Sequence, residues 1–302
     1  MAAPARGVLH VVATPIGNLA DVTLRALEVL RVADCVFAED TRHTRRLLDR
    51  HGLGPRLVSA HAHNEAARAR QLCERLGRGE RVALVTDAGT PTLSDPGARL
   101  VAAAAAAGFA VAAVPGPSAV AAALAVSGLS ADAFSFAGFL PARSEARRRR
   151  LEALLARAET IVFFEAPHRV RATLGVLCEI APRRPLAACR ELTKAFEEVL
   201  RGTPAEVLGL LTAERERGEW TLVLGPPAPG ESLPGERLAE GARGGRAAGA
   251  AGRAADAARR AFERGLVEEG VEPGEAGRRA DFVFGGTGRR PGPRKTGKPR
   301  TR

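Results

Sequence analysis

The chain has 302 residues, 45% of them hydrophobic but only 4% aromatic, with no tyrosine, and a formal net charge of +11. A chain of this length can hold two domains of roughly 100 to 200 residues, each with its own core. No stretch approaches the ~20 apolar residues of a membrane span, and no charged-then-apolar leader opens the chain, so a membrane role is excluded and a cytoplasmic protein is expected.

Residues 8–13 read as a strand that ends in the loop Thr14-Pro15-Ile16-Gly17-Asn18. Asp21 or Thr23 then caps a helix carrying Leu24, Leu27 and Leu30 on successive turns. A second strand, residues 35–38, delivers Glu39 and Asp40, and Thr41 opens a basic helix reaching His51. Residues 56–59 are short and strand-like, Asn64 caps a helix through Leu76, and residues 82–85 form a buried strand that breaks at Thr86-Asp87. Beyond the turn Ala88-Gly89-Thr90-Pro91, Ser94 or Asp95 can cap the next helix, with Pro96 in its first turn. Such a turn is either a tight connection or a ligand site at the carboxyl end of a strand. Residues 111–114 lead into Pro115-Gly116-Pro117-Ser118 and a helix over 119–126.

The second half repeats the style. Strands are expected over 134–137, 160–164, 186–189 and 220–224, with helices over 144–158 and 170–180. In the first half, strands alternating with helices at this spacing argue for a largely parallel, helix-flanked sheet. The division falls into residues 1–116, 117–230 and a Gly-, Ala- and Arg-rich tail, 231–302, expected to be largely disordered, with a ligand cleft between the first two. The tail carries a net +6 against +5 for everything before it. Cys35, Cys73, Cys178 and Cys189 stand at no metal-ligand spacing, so reduced core thiols and no metal are expected.

Seven stretches occur in order: ATPIGNLAD at 13–21, AEDTRHT at 38–44, DAGTPTLSDPG at 87–97, PGPSA at 115–119, GFLP at 138–141, EAPHR at 165–169 and RELTK at 190–194. Together they resemble the 16S ribosomal RNA cytidine-2'-O-methyltransferase I family, a branch of the tetrapyrrole-methylase superfamily. The likeness spans residues 8–225. It implies a two-domain α/β fold, distinct from the Rossmann methyltransferases, with the active-site cleft between the domains. S-adenosylmethionine would be held there, usually in a homodimer, and the substrate would be 16S rRNA of the small ribosomal subunit. By the same resemblance the donor's contacts would come from Pro15, Gly17, Asp87, Ala88, Gly89, Thr90, Ser118, Ala119, Phe164, Ala166, Glu191 and Leu192.

Transfer to a ribose hydroxyl needs an in-line approach at about 3 Å and is helped by a base. Asp40 and His43, three apart at a helix start, are the first candidates, Glu39 and His168 the next; Asp40 can equally serve as the helix cap. Arg42, Arg45, Arg147, Arg148, Arg169 and Lys194 could take RNA phosphates. The basic run Arg147 to Arg150 can also be a solvated helix face. Lys194 is one of only three lysines against 42 arginines, so its ammonium is specifically wanted, for Glu191 or for a phosphate. Two other functions stay open: a tetrapyrrole C-methyltransferase, and a non-catalytic RNA-binding or assembly protein. Past Leu233 the likeness fails, which leaves a shifted reading frame or a basic RNA-binding arm.

Overall fold

The computed structural model describes residues 7–227 and, beyond them, Gly274 alone; the expectations for the tail lie outside the described residues. Two five-stranded sheets carry the fold, and both lie in one unit, Met1–Leu233.

The first sheet has strand order β3-β2-β4-β1-β5, built from β1 (Val8–Val12), β2 (Cys35–Ala38), β3 (Leu57–Ser59), β4 (Arg81–Val85) and β5 (Ala110–Val114). Every pairing in it is parallel. β2 and the Val82 to Val85 run of β4 are fully buried, as strands covered on both faces must be. Alternation decides which side each residue serves. Leu9, Cys35, Phe37, Val82 and Leu84 pack under α3 (Glu65–Gly77) and α4 (Ala98–Ala106), whereas Val12, Val36, Ala38, Ala83 and Val85 pack under α1 (Leu24–Val32) and α2 (Thr41–Arg50). Thr23 caps α1 by accepting from Ala26 N at 3.1 Å.

The start of α4 differs from expectation. Its cap is Gly97, at φ +118°, and the helix begins at Ala98. The Gly97 amide donates at 2.6 Å to Oε1 of the buried Glu65, 32 residues upstream, and no side chain caps the first turn, so neither Ser94 nor Asp95 serves as the cap.

The second sheet has order β6-β7-β10-β8-β9: β6 (Phe134–Phe139), β7 (Thr160–Glu165), β8 (Leu186–Arg190), β9 (Glu198–Gly202) and β10 (Trp220–Leu224). Only β6 and β7 run parallel; the β7–β10, β10–β8 and β8–β9 pairs are antiparallel, so the second sheet is mixed. One face packs Ile161, Phe163, Ala188 and Leu222 against α6 (Ser144–Leu155), α7 (Val170–Ile180) and α8 (Pro204–Gly209). The other sets Val162, Ala187, Cys189 and Val223 against α5 (Ala119–Ser127), together with Ile16 from the first half. The loop after β1 therefore packs on this face of the second sheet through Ile16. β9 and α8 were not anticipated, although Thr203 and Glu206 form a reciprocal capping box, a legible start signal for α8.

Candidate active site

The loops after the first-sheet strands are latched to one another. Thr14 and Gly89 exchange backbone hydrogen bonds at 2.9 and 3.0 Å, and Thr14 Oγ1 donates to Thr86 O at 3.1 Å. Asp40 N donates to Asp87 Oδ1 at 3.0 Å, Thr86 Oγ1 to Glu39 Oε2 at 2.9 Å, and Thr90 Oγ1 to Pro117 O at 3.2 Å. Gly89 sits at φ +78°, where a Cβ would stand 3.3 Å from Ile16 Cγ2, so the turn is a tight cradle that suits glycine.

From the second sheet, β7 ends at Glu165, only 1% exposed. It accepts from Thr173 Oγ1 at 2.6 Å and Ala166 N at 2.9 Å and pairs with Arg169 Nη2 at 2.7 Å. After β8, Glu191 Oε1 accepts from Glu219 N and from Lys194 Nζ, both at 2.8 Å, and Lys194 also reaches Glu219 Oε2 at 3.1 Å. This loop seats against the first half at Gly17, where a Cβ would meet Lys194 Cγ at 2.4 Å and Leu192 O at 3.0 Å. Among the described residues, non-glycine side chains at positive φ are Thr92 and Ser94 in one loop, Glu191 and Thr193 in the other. Costly backbone thus gathers where the two halves face each other, as it does at functional sites.

Between these loops lies a cavity of about 340 Å³, within the range of small-molecule sites. Ala88, Gly89, Thr90, Ser118, Ala119, Phe164, Ala166 and Leu192, all expected as donor contacts, line it. Pro15 and Asp87 do not; Asp87 is engaged with the Asp40 amide. Glu191 lies behind the wall, braced by Lys194, and Gly17 lines a neighbouring groove with Arg50, His51 and Lys194. The Ser118 side chain makes no cap bond, so the N-terminus of α5 presents amides beside the cavity. Cys189 also lines it, but burial pushes its thiol up to about 11, so it is no nucleophile near neutral pH.

The expected catalytic pair does not reach this cavity. Asp40 is the N-cap of α2: its carboxylate accepts from Arg42 N at 2.8 Å and from Arg42 Nη2 at 2.7 Å. Those hydrogen bonds hold it well below the usual carboxylate range, which makes it a weak base. His43 is exposed on α2. Several expected phosphate contacts are also committed elsewhere. Arg147 is 4% exposed and donates to Ala142 O, a correction that follows from its facing the core of α6. Arg148 pairs with Glu179 and Glu152, Arg169 with Glu165, and Lys194 with two carboxylates. Arg42 is 88% exposed and Arg45 half-buried on α2. Sequence reasoning did not single out Asp95 or Phe139 for the cavity wall, although both stand in the stretches at 87–97 and 138–141 that carry the resemblance; Glu165 lies within the expected strand end at Phe164 to Ala166.

Burial pushes the Asp95 carboxyl up to about 6, with the Glu39 and Asp87 carboxylates adding to the rise and the Thr86 hydroxyl opposing it. No metal-ligand group of three or more His, Cys, Asp or Glu side chains occurs among the described residues, and no described helix is long and apolar enough to cross a membrane.

A parallel sheet and a mixed sheet closing loops over one cavity define a methylase fold, and the profile of the family described as Tetrapyrrole (Corrin/Porphyrin) Methylases matches residues 8–208. The solved structure of uroporphyrin-III-C-methyltransferase from Thermus thermophilus superposes with a TM-score of 0.52 at 29% identity, covering 73% of this chain and 94% of that one. Within this class the chain belongs to the ribosomal RNA small subunit methyltransferase I family, and it is a methyltransferase. It is 49% identical to the protein of that name from Xylella fastidiosa, over 72% of this chain and 81% of the relative. It is also 49% identical to the one from Mesorhizobium japonicum, over 74% and 77%.

Proposed function

We propose that this chain transfers a methyl group from S-adenosylmethionine to the ribose 2'-oxygen of a cytidine in 16S rRNA, acting in the cytoplasm as a homodimer. The observation that carries the reading is the convergence of the 88–90 turn, the 118–119 helix start, the Phe164 to Ala166 strand end and Leu192 on one cavity. The names of the relatives, at 43 to 49% identity, support the RNA substrate over a tetrapyrrole, for which the solved structure stands at 29%. The cleft divides residues 1–116 from 117–230.

The residues present fit the donor. Apolar Ile16, Phe164 and Leu192 suit the faces of a purine nucleoside, the Gly89 cradle lets the main chain approach closely, and the open amides of α5 favour a carboxylate. When bound, the donor supplies a methyl group activated by its attachment to positive sulfur. The chain's own part is to position an acceptor hydroxyl, exclude water with apolar walls, and take a proton. Arg45 on α2 is then the candidate for RNA phosphate, whereas Arg42 is paired with Asp40.

The test is methylation of small subunits from cells lacking this activity, with isotopically labelled donor, followed by mapping of 2'-O-methyls. Label on a cytidine ribose of 16S rRNA is expected. Label on a base, or on a uroporphyrinogen instead, overturns the reading.

A further inference from the structure

On a regular strand Phe136 and Phe139 of β6, an odd number of residues apart, would face opposite sides of the second sheet. Both rings nevertheless meet Phe164 of β7, with centroids 4.9 and 5.4 Å away. The register explains it. Phe136 stands opposite Val162 and Phe139 opposite Phe164, so β6 carries one more residue than β7 over the same span. The extra residue makes a β-bulge, and Gly138, at φ +65°, supplies the left-handed backbone within it. The same shift sends both Ala137 and Leu140 to the core under α6 and α7, where the buried Leu140 anchors the chain just past the bulge.

The bulge delivers Phe139 to the mouth of the cavity. The ring lines the cavity yet is 58% exposed. Of the other aromatic side chains lining it among the described residues, Phe164 is half-buried and Trp220 is buried, so Phe139 is the one that offers an open face. The first half of the chain holds it there as well. A Cβ on Gly138 would stand 3.0 Å from Ser94 Oγ, which presses the bulge against a loop that is itself in left-handed backbone at Thr92 and Ser94. Phe134, earlier on β6, is also exposed but lines no part of the cavity. A lone exposed ring is ordinary on a protein surface. One that a bulge has turned to the rim of a site is being aimed at what enters it.

We propose that the nucleobase attached to the acceptor ribose stacks on the Phe139 ring, and that this contact holds the sugar over the methyl donor. The inference rests on the reading of the chain as a ribose-hydroxyl methyltransferase acting on RNA. A nucleotide that reaches into a cavity has left its own stack, and an aromatic face restores the contact it lost. The inner apolar wall of Ile16, Phe164 and Leu192 suits the donor nucleoside, which leaves the outer ring for the base of the acceptor. A phenyl ring has no hydrogen-bonding group, so it orients a base without selecting one. Removing the ring should therefore slow methylation without changing which nucleotide is methylated.

The test compares wild type with Phe139→Ala, Phe139→Leu and Phe139→Trp in the full chain, with Phe134→Ala as the control. For small subunits from cells lacking this activity, kcat/KM should fall by about 10- to 100-fold in Phe139→Ala, the worth of one base stacked on an aromatic ring. Phe139→Leu, which keeps apolar bulk but has no ring face, should fall nearly as far. Phe139→Trp should stay within a few-fold of wild type and Phe134→Ala should match it. Donor affinity by calorimetry and oligomeric state by sedimentation should be unchanged throughout. Phe139→Ala within about two-fold of wild type, or Phe139→Leu equal to wild type, overturns the proposal. So does a loss matched by weaker donor binding, which assigns the ring to the donor, or by dissociation into monomers, which assigns it to contact between two copies. In each of those cases the substrate reading stands. A wild type that binds donor yet methylates no RNA hydroxyl removes the substrate reading and this inference with it.

Discussion

Two corners of the first sheet's carboxyl edge each offer an aspartate, and they use it in opposite ways. Asp40, after β2, sits at the head of α2 with Arg42 folded back on it, and its charge is consumed by the cap and the guanidinium. Asp95, eight residues past Asp87, caps no helix and faces the cavity among like charges. A carboxylate at a helix start with a basic neighbour is stabilised as an anion, which disqualifies it as a base. One that is half-buried beside other carboxylates holds its proton more tightly.

The largest effect that would break this contrast is on turnover. Asp95→Asn, in the cavity wall, is expected to lose about 10- to 100-fold, the worth of a charged hydrogen bond to a bound molecule. Asp40→Asn should remain within a few-fold, because asparagine caps a helix about as well as aspartate and Asp40 does not touch the cavity. Single-turnover methylation of small subunits by the two variants decides between them, and comparable losses would mean that the commitment of Asp40 has been misjudged.

Next in size is a stability effect on the other side of the cleft. Glu165 and Arg169 form a pair whose carboxylate side chain is fully inaccessible and whose guanidinium is 16% exposed. Removing the arginine leaves a buried anion, so Arg169→Ala should lower unfolding free energy by about 3 kcal/mol. Glu165→Gln combined with Arg169→Met should cost less than Arg169→Ala alone, since no lone charge remains. Denaturant titration of both variants measures this. A loss under about 1 kcal/mol for Arg169→Ala would show that the arginine is free to serve RNA after all.

These commitments explain what could be read from the sequence and what could not. Turn chemistry in short loops is local, so the Thr14 to Asn18, Ala88 to Thr90 and Pro115 to Ser118 stretches were recognisable before any contact was known. The first sheet followed from regular alternation of strand and helix. The orientation of the second sheet did not, because fully buried runs such as β8 and β10 look alike whether their neighbours run parallel or antiparallel. β9 carries charged residues at an edge and α8 is only six residues long, too short for helical periodicity. The place of Asp95 in the cavity wall was hidden for a different reason: a local capping rule assigned it to α4, and the helix instead starts at Ala98 behind Gly97. Arg147 was indistinguishable within a four-arginine run until the helix was seen to turn it toward the core.

The two aspartates also predict opposite pH dependence of stability. The folded Asp95 carboxyl is raised from an ordinary 3.8 to about 6, so its stabilising contribution is present at acid pH and is lost as pH rises through about 6. Replacing it with asparagine should therefore stabilise the protein at pH 8 by about 1–2 kcal/mol, after allowance for partial solvent screening, and have little effect at pH 4. Asp40 is lowered, chiefly by the Arg42 side chain and backbone, so its contribution is present above the ordinary value and disappears only in acid, as pH falls toward the folded value. Urea unfolding across pH 4 to 8 separates the signs. An Asp95→Asn protein destabilised at pH 8 would identify the residue as structural.

The smallest expected effect concerns a cation rather than an acid. Lys194 bridges Glu191 and Glu219 at 2.8 and 3.1 Å, and Glu191 holds a left-handed backbone at φ +50°. Lys194→Met keeps the stem that packs over Gly17 but removes the ammonium, leaving Glu191 with only the Glu219 amide. The loss should be about 1 kcal/mol of stability together with a small fall in donor affinity, because Leu192 of the same loop lines the cavity. The slope of RNA affinity against log salt should be unchanged, whereas loss of a phosphate contact lowers that slope by about one. A reduced slope with unchanged stability would move Lys194 from the interior brace to the RNA surface. Lys194 would then join Arg45 as a candidate for RNA phosphate.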